Sequence, residues 1–192
     1  ALSKYEWTEY SQAKWYLRRM ATDFRLGIPS NIFTMVDVKY RHTVNYKGLL
    51  HTNLNGEVVW ARPAYYAVSH MASLLTPHMK ADGELAYKTP SKKSLSVLAV
   101  SKDGRRVGVL VWQKGEIPSD SISQEKLDLT VSGLALKDPV WVEPVTGRIC
   151  ELEKWSVKGG SMNFKGLPVW DSPVFIMERA EVPSVSGESG NQ

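Results

Sequence analysis

The sequence predicts a mainly β protein, an antiparallel β-sandwich preceded by a helix-strand-helix segment. Three observations predict it. Two stretches early in the chain carry apolar residues three and four apart, the period of an amphipathic helix. Between them lies one run rich in β-branched residues, with apolar positions on both alternating faces. From Gly83 onward the pattern becomes short alternating runs separated by turn residues, the arrangement of a sandwich.

The first helix is expected over Glu9–Arg25. Thr8 supplies an N-cap and Glu9 an acidic first turn, while Ala13, Tyr16, Leu17, Met20, Ala21 and Phe24 form its apolar face. Gly27 stops it, and Pro29 prevents it from resuming. The run Asn31–Tyr40, NIFTMVDVKY, reads as a strand buried on both sides, as in a parallel sheet covered by helices. Pro63 then opens a second helix, to Leu75, through Ala64, Ala67, Val68, Met71 and Leu74. One helix, one strand and one helix are too few to close a parallel sheet. Either the sandwich folds back over Ile32, Val36 and Val38, or that strand pairs with another copy or with further barrel strands.

In the second part, Leu95–Ser101 and Arg106–Gln113 form a hairpin whose turn contains Asp103-Gly104, a pair suited to positive φ. Further strands are expected at Glu84–Lys88, Lys126–Ser132, Val140–Glu143, Arg148–Lys154 and Pro173–Ala180, making roughly eight in all. The organisation expected is a helix-strand-helix unit over residues 1–80, a sandwich over 81–182 and a disordered Ser/Gly/Pro-rich tail over 183–192.

Composition excludes several classes. Twenty-four Lys and Arg against 20 Asp and Glu give a net charge of +4, with the cations scattered, so nucleic acid is not an expected partner. No apolar run approaches the roughly 18 residues that cross a bilayer, and no membrane partner is expected. The N-terminus carries no basic-then-apolar signal pattern, and since the chain opens on Ala1 in mid-pattern the export route stays open. The single cysteine, Cys150, cannot form an intramolecular disulfide. The four His share no ligand spacing, and neither a metal nor a cofactor is expected. There is no G-x-S-x-G elbow, phosphate-cradling loop or zincin helix.

Several motifs occur in one order: WTEYSQAKWYLRRM, SNIFTMVDVKY, YKGLLHTN, ARPAYYAVSHMASLL, EPVTGRICEL and LPVWDSPVFIM. That order resembles the end of retaining glycoside hydrolases of the large (β/α)8 clan that includes β-xylosidases and endoglucanases. The resemblance covers Trp7 to Met177. It implies the seventh barrel helix, the eighth strand and the final helix, followed by a C-terminal sandwich. It also implies a β-linked polysaccharide or oligosaccharide as partner, and an extracellular or periplasmic setting.

Retaining hydrolysis needs two carboxylates about 5 to 5.5 Å apart. The resemblance puts both on strands upstream of residue 1, since nothing in ALSKYEWTE reads as the seventh strand. The isolated chain is then expected to be an accessory, weakly sugar-binding piece of a polysaccharide-degrading enzyme. Two alternatives remain open: a small glycosidase using Asp37 with Glu57 or a sandwich acid, and a purely structural sandwich. Asp37 is the one carboxylate inside the apolar run, so it either contacts a sugar hydroxyl or forms an ion pair. Tyr40 and Tyr46, flanking the loop after that run, are candidate sugar-stacking groups. Trp60, Trp112, Trp141, Trp155 and Trp170 are placed in or beside the sandwich, and of these Trp112 and Trp155, expected to be most exposed, are further stacking candidates.

Overall fold

The computed structural model describes residues 8–115, 117–121 and 125–183, and the expected tail lies almost wholly outside them. Helix α1 spans Glu9–Leu26. The Thr8 hydroxyl accepts from the Ser11 amide, and Gly27 closes the helix at φ 66°. Helix α2 spans Pro63–Leu74, with proline at its first turn. Between the helices run two small antiparallel hairpins: β1 (Val38–Lys39) with β2 (Val44–Asn45), and β3 (Leu50–Thr52) with β4 (Val58–Ala61).

The remaining strands form two antiparallel sheets. One contains β5 (Met79–Glu84), β7 (Leu95–Lys102), β8 (Arg105–Gln113), β10 (Pro139–Glu143), β11 (Arg148–Glu151) and β14 (Val174–Glu178), in the order β11-β10-β14-β8-β7-β5. The other contains β6 (Tyr87–Lys88), β9 (Glu125–Ser132), β12 (Trp155–Lys158) and β13 (Ser161–Val169), in the order β12-β13-β9-β6. The protein is therefore mainly β, with antiparallel sheets and N-terminal helices.

The six-stranded sheet is the middle of three layers. Val97, Val109, Val111, Trp141 and Ile176 pack with the four-stranded sheet around Leu129, Met162 and Phe164. Their strand neighbours Leu98, Leu110, Val140, Phe175 and Met177 pack with Leu17 and Ala13 of α1 and Ala67 and Met71 of α2. Because successive side chains point to opposite faces, a strand buried on both sides must be apolar almost throughout, as LSVLAV, VGVLVW and VFIM are.

That pattern misleads at Asn31–Tyr40. Only Val38–Lys39 is strand, Phe33 and Met35 are 64% and 55% exposed, and the sandwich does not cover Val36. A strand is buried on both faces only when neighbours pair both edges and elements cover both sides. Among the described residues Val38–Lys39 pairs only with β2, and the part before it, Phe33–Val36, has one strand partner, the start of β3: the Leu49 and Leu50 amides donate to Thr34 and Met35, and Val36 bridges Leu50 in parallel.

Strand boundaries also differ: the expected strand Arg148–Lys154 ends at Glu151, and the expected strand Glu84–Lys88 is split between the end of β5 at Glu84 and β6 at Tyr87–Lys88. Strand β13 was not expected. Met162 and Phe164 face inward, then a register shift between Phe164 and Leu167 moves the inward positions to Leu167 and Val169, which hides the alternation.

Candidate functional site

The two hairpins and the segment before them enclose a cavity of about 480 Å³, lined by Asp37, Lys39, Tyr46, His51, Asn53 and Asn55 among others. Its floor is an ion pair. Arg62 meets Asp37 side-on, Nη1 to Oδ1 at 2.8 Å and Nη2 to Oδ2 at 3.1 Å. The Gly48 amide donates to Oδ1 at 3.0 Å and the Thr52 amide to Oδ2 at 3.3 Å, while His51 Nδ1 stands 2.8 Å from Oδ2. Arg62 also donates to Glu9 and to the Gly48 carbonyl, so one guanidinium joins the N-terminus of α1 to the hairpins.

Burial alone would raise the pKa of Asp37. The Arg62 hydrogen bonds, with those from the Thr52 and Gly48 amides, outweigh it and hold the carboxyl below its ordinary value. The side chain has no exposed surface and both oxygens are engaged, so the group is a fixed anion that cannot reach a ligand. Of the two roles left open for Asp37, this geometry is that of the ion pair.

Close approach of the backbone makes the floor possible. A Cβ on Gly48 would lie 2.3 Å from the Val36 carbonyl carbon and 2.4 Å from the Asp37 nitrogen, which only glycine avoids. Tyr46 and His51 make one wall of the cavity aromatic, and Trp60, outside the lining, packs its ring against His51. His51 and Trp60 are cross-strand partners in β3 and β4, with ring centroids 4.0 Å apart and planes tilted by 30°, and Tyr46 lies 6.0 Å from His51.

The candidates named from sequence are thus dispersed. Asp37 and Tyr46 line the cavity, whereas Tyr40 is exposed at the tip of the β1–β2 hairpin. Glu57 is exposed in the β3–β4 turn, accepts from Asn53 and does not line the cavity. Trp112 corrects an expectation. It is 8% exposed and packs in the core under the helices, because its strand is covered on both faces and the last residues of an alternating strand are not thereby at the surface. Trp155 is half-buried against the core between the sheets. Trp60, placed in or beside the sandwich from sequence, is in β4 and 47% exposed.

His51, Asn53 and Lys39, which line the cavity, are not singled out by the sequence reading. The signal was present in Asn53-Leu54-Asn55-Gly56, a turn-rich run that makes a hairpin of its flanks and so pairs His51 with Trp60. Among the described residues no three His, Cys, Asp or Glu side chains gather as metal ligands, and no helix is long and apolar enough to cross a membrane.

The sandwich motifs have structural work. Glu143 of EPVTG accepts from the Val145 and Thr146 amides and the Thr146 hydroxyl, tying the β10–β11 turn. Asp171 of LPVWDSPV pairs with the buried Lys14 of α1 at 2.8 Å, and Lys14 also donates to the Ser121 carbonyl.

No family model and no curated protein matches the chain. Among solved structures, a family 39 glycoside hydrolase from the gut symbiont Bacteroides cellulosilyticus WH2 superposes with a TM-score of 0.56 at 18% identity. The match covers 89% of this chain and 31% of that one, so the chain spans about a third of the hydrolase's length. At that identity the likeness is one of fold.

Proposed function

We propose that this chain is a carbohydrate-associated portion of a glycoside hydrolase and that the cavity between its hairpins is a glycan subsite. The observation that carries this reading is the cavity's build: flat rings of Tyr46 and His51 beside the side-chain amide of Asn55, over a neutralised, immobile floor. Aromatic faces offer a sugar ring apolar contact, and side-chain amides match hydroxyls that both donate and accept. The fold shared with a glycoside hydrolase gives the reading its direction.

The chain is an accessory piece in this proposal. Retaining chemistry needs two accessible carboxylates about 5 to 5.5 Å apart. Asp37 is closed off, and Glu57 does not share the cavity with it. Catalytic carboxylates would come from a polypeptide segment that pairs the open edge at Phe33, Met35 and Val36, completing a barrel; self-association through the same edge is the competing occupant.

Affinity electrophoresis in soluble β-glucan, xylan and mannan, beside assays on aryl β-glycosides with highly purified protein, tests the proposal. Retardation corresponding to a Kd on the order of 0.1 to 1 mM, without turnover, is the expected result. No retardation in any polymer leaves a purely structural sandwich. Turnover by the wild type that falls about 100-fold in an Asp37→Asn variant still folded at the assay temperature makes the chain a glycosidase in its own right.

A further inference from the structure

We infer that His51 is the residue through which the cavity recognises the hydroxyl groups of a neutral sugar unit, with Asp37 and Arg62 as its positioning residues; this rests on reading the cavity as a glycan subsite. His51 Nδ1 lies 2.8 Å from Asp37 Oδ2 and 2.9 Å from Arg62 Nη2. One ring nitrogen cannot serve both partners at once. Carrying a proton it donates to the carboxylate, and without one it accepts from the guanidinium.

Each choice fixes the far nitrogen of a neutral imidazole. With the proton on Nδ1, Nε2 is an acceptor; with Nδ1 accepting from Arg62, Nε2 carries the proton and donates. Neither choice strands a buried partner. Asp37 keeps the Gly48 and Thr52 amides and Arg62, and Arg62 keeps Asp37, Glu9 and the Gly48 carbonyl. The two tautomers are thus matched in satisfied bonds, and Nε2 offers a donor or an acceptor without movement of the ring. A sugar hydroxyl, itself both donor and acceptor, fits either form.

The ring is held for that task by its stack on Trp60 and lines the cavity with a half-buried edge. Among the described residues no protein group bonds Nε2. The other charged side chains lining the cavity are Asp37, already neutralised by Arg62, and Lys39.

The experiment compares His51→Asn and His51→Gln in the full chain, by retention in gels containing soluble β-glucan, xylan or mannan and by thermal melting. An Asn amide sits about where Nδ1 does and keeps the floor bonded but leaves nothing at the Nε2 position; a Gln amide reaches that position and abandons the floor. His51→Asn is expected to melt near the wild type while losing about tenfold or more in affinity, the effect of one hydrogen bond to a neutral group. His51→Gln is expected to melt lower and keep most of its retention. Retention of His51→Asn equal to wild type overturns the assignment and leaves the glycan subsite standing. Equal losses of retention in both variants make His51 structural and overturn it as well. Absence of wild-type retention in all three polymers removes the subsite and this inference together.

Discussion

Asp37 and Trp112 show how a side chain's surroundings set its chemistry. Asp37 is buried in an ion pair with Arg62 and two backbone amides, and its carboxyl sits below the ordinary carboxylate range. A folded pKa below that of the unfolded chain stabilises the fold above about pH 4, and that contribution disappears as pH falls through the folded value. Asp37→Asn should therefore cost about 3 to 5 kcal/mol near neutral pH, the effect of leaving a buried guanidinium without its main partner, and should flatten the acid limb of stability against pH. Urea unfolding from pH 3 to 7 checks this; an unchanged acid limb would sink it. Trp112→Ala should cost about 3 to 5 kcal/mol in the same assay and leave sugar retention at neutral pH unaltered wherever the variant is folded. The need of Asp37 for a partner was legible in the sequence, since a carboxylate in an apolar run is costly alone. The partner's identity was not, because Arg62 lies 25 residues along the chain, beyond any local pattern.

Local signals were most readable where they close locally. Thr8, Gly27 and Pro63 bound two helices to within a residue, and Asp103-Gly104 turns the β7–β8 hairpin with φ of 51° and 76°. Patterns that depend on distant neighbours were ambiguous. The same doubly apolar alternation marks β8, covered on both faces, and Phe33–Val36, which among the described residues has one partner edge. The bulge in β13 erased its own period. In the hairpins, the decisive element is a single glycine. Gly48→Ala should push the start of β3 off Val36 and Asp37, lowering the melting temperature and abolishing glycan retention, while near-ultraviolet dichroism from the sandwich tryptophans Trp141 and Trp170 persists. Retention equal to wild type would show that the cavity tolerates the shift.

For the molecule as a whole, the six-stranded sheet joins everything, since one face seals the helices and the other the second sheet. Native-state hydrogen exchange should therefore be slowest in β8 and β14, at the centre of that sheet, and fastest across residues 31–61, where strands are short and apolar side chains are exposed. Comparable protection in both regions would contradict this ordering. Lys14→Met, which unpairs Asp171, should speed exchange at Leu49 and Leu50 as well as in the sandwich, because α1 carries both contacts. Glu9, at one end of that helix, grips Arg62 beneath the cavity, and Lys14, little more than a turn further on, is bolted to Asp171 at the head of β14. The helix is in effect a beam pinned at two points. A long polymer chain tugging at the cavity would load that beam, and the strain would run into the sandwich instead of prying the small hairpins apart. The sandwich then acts as ballast for the two short hairpins.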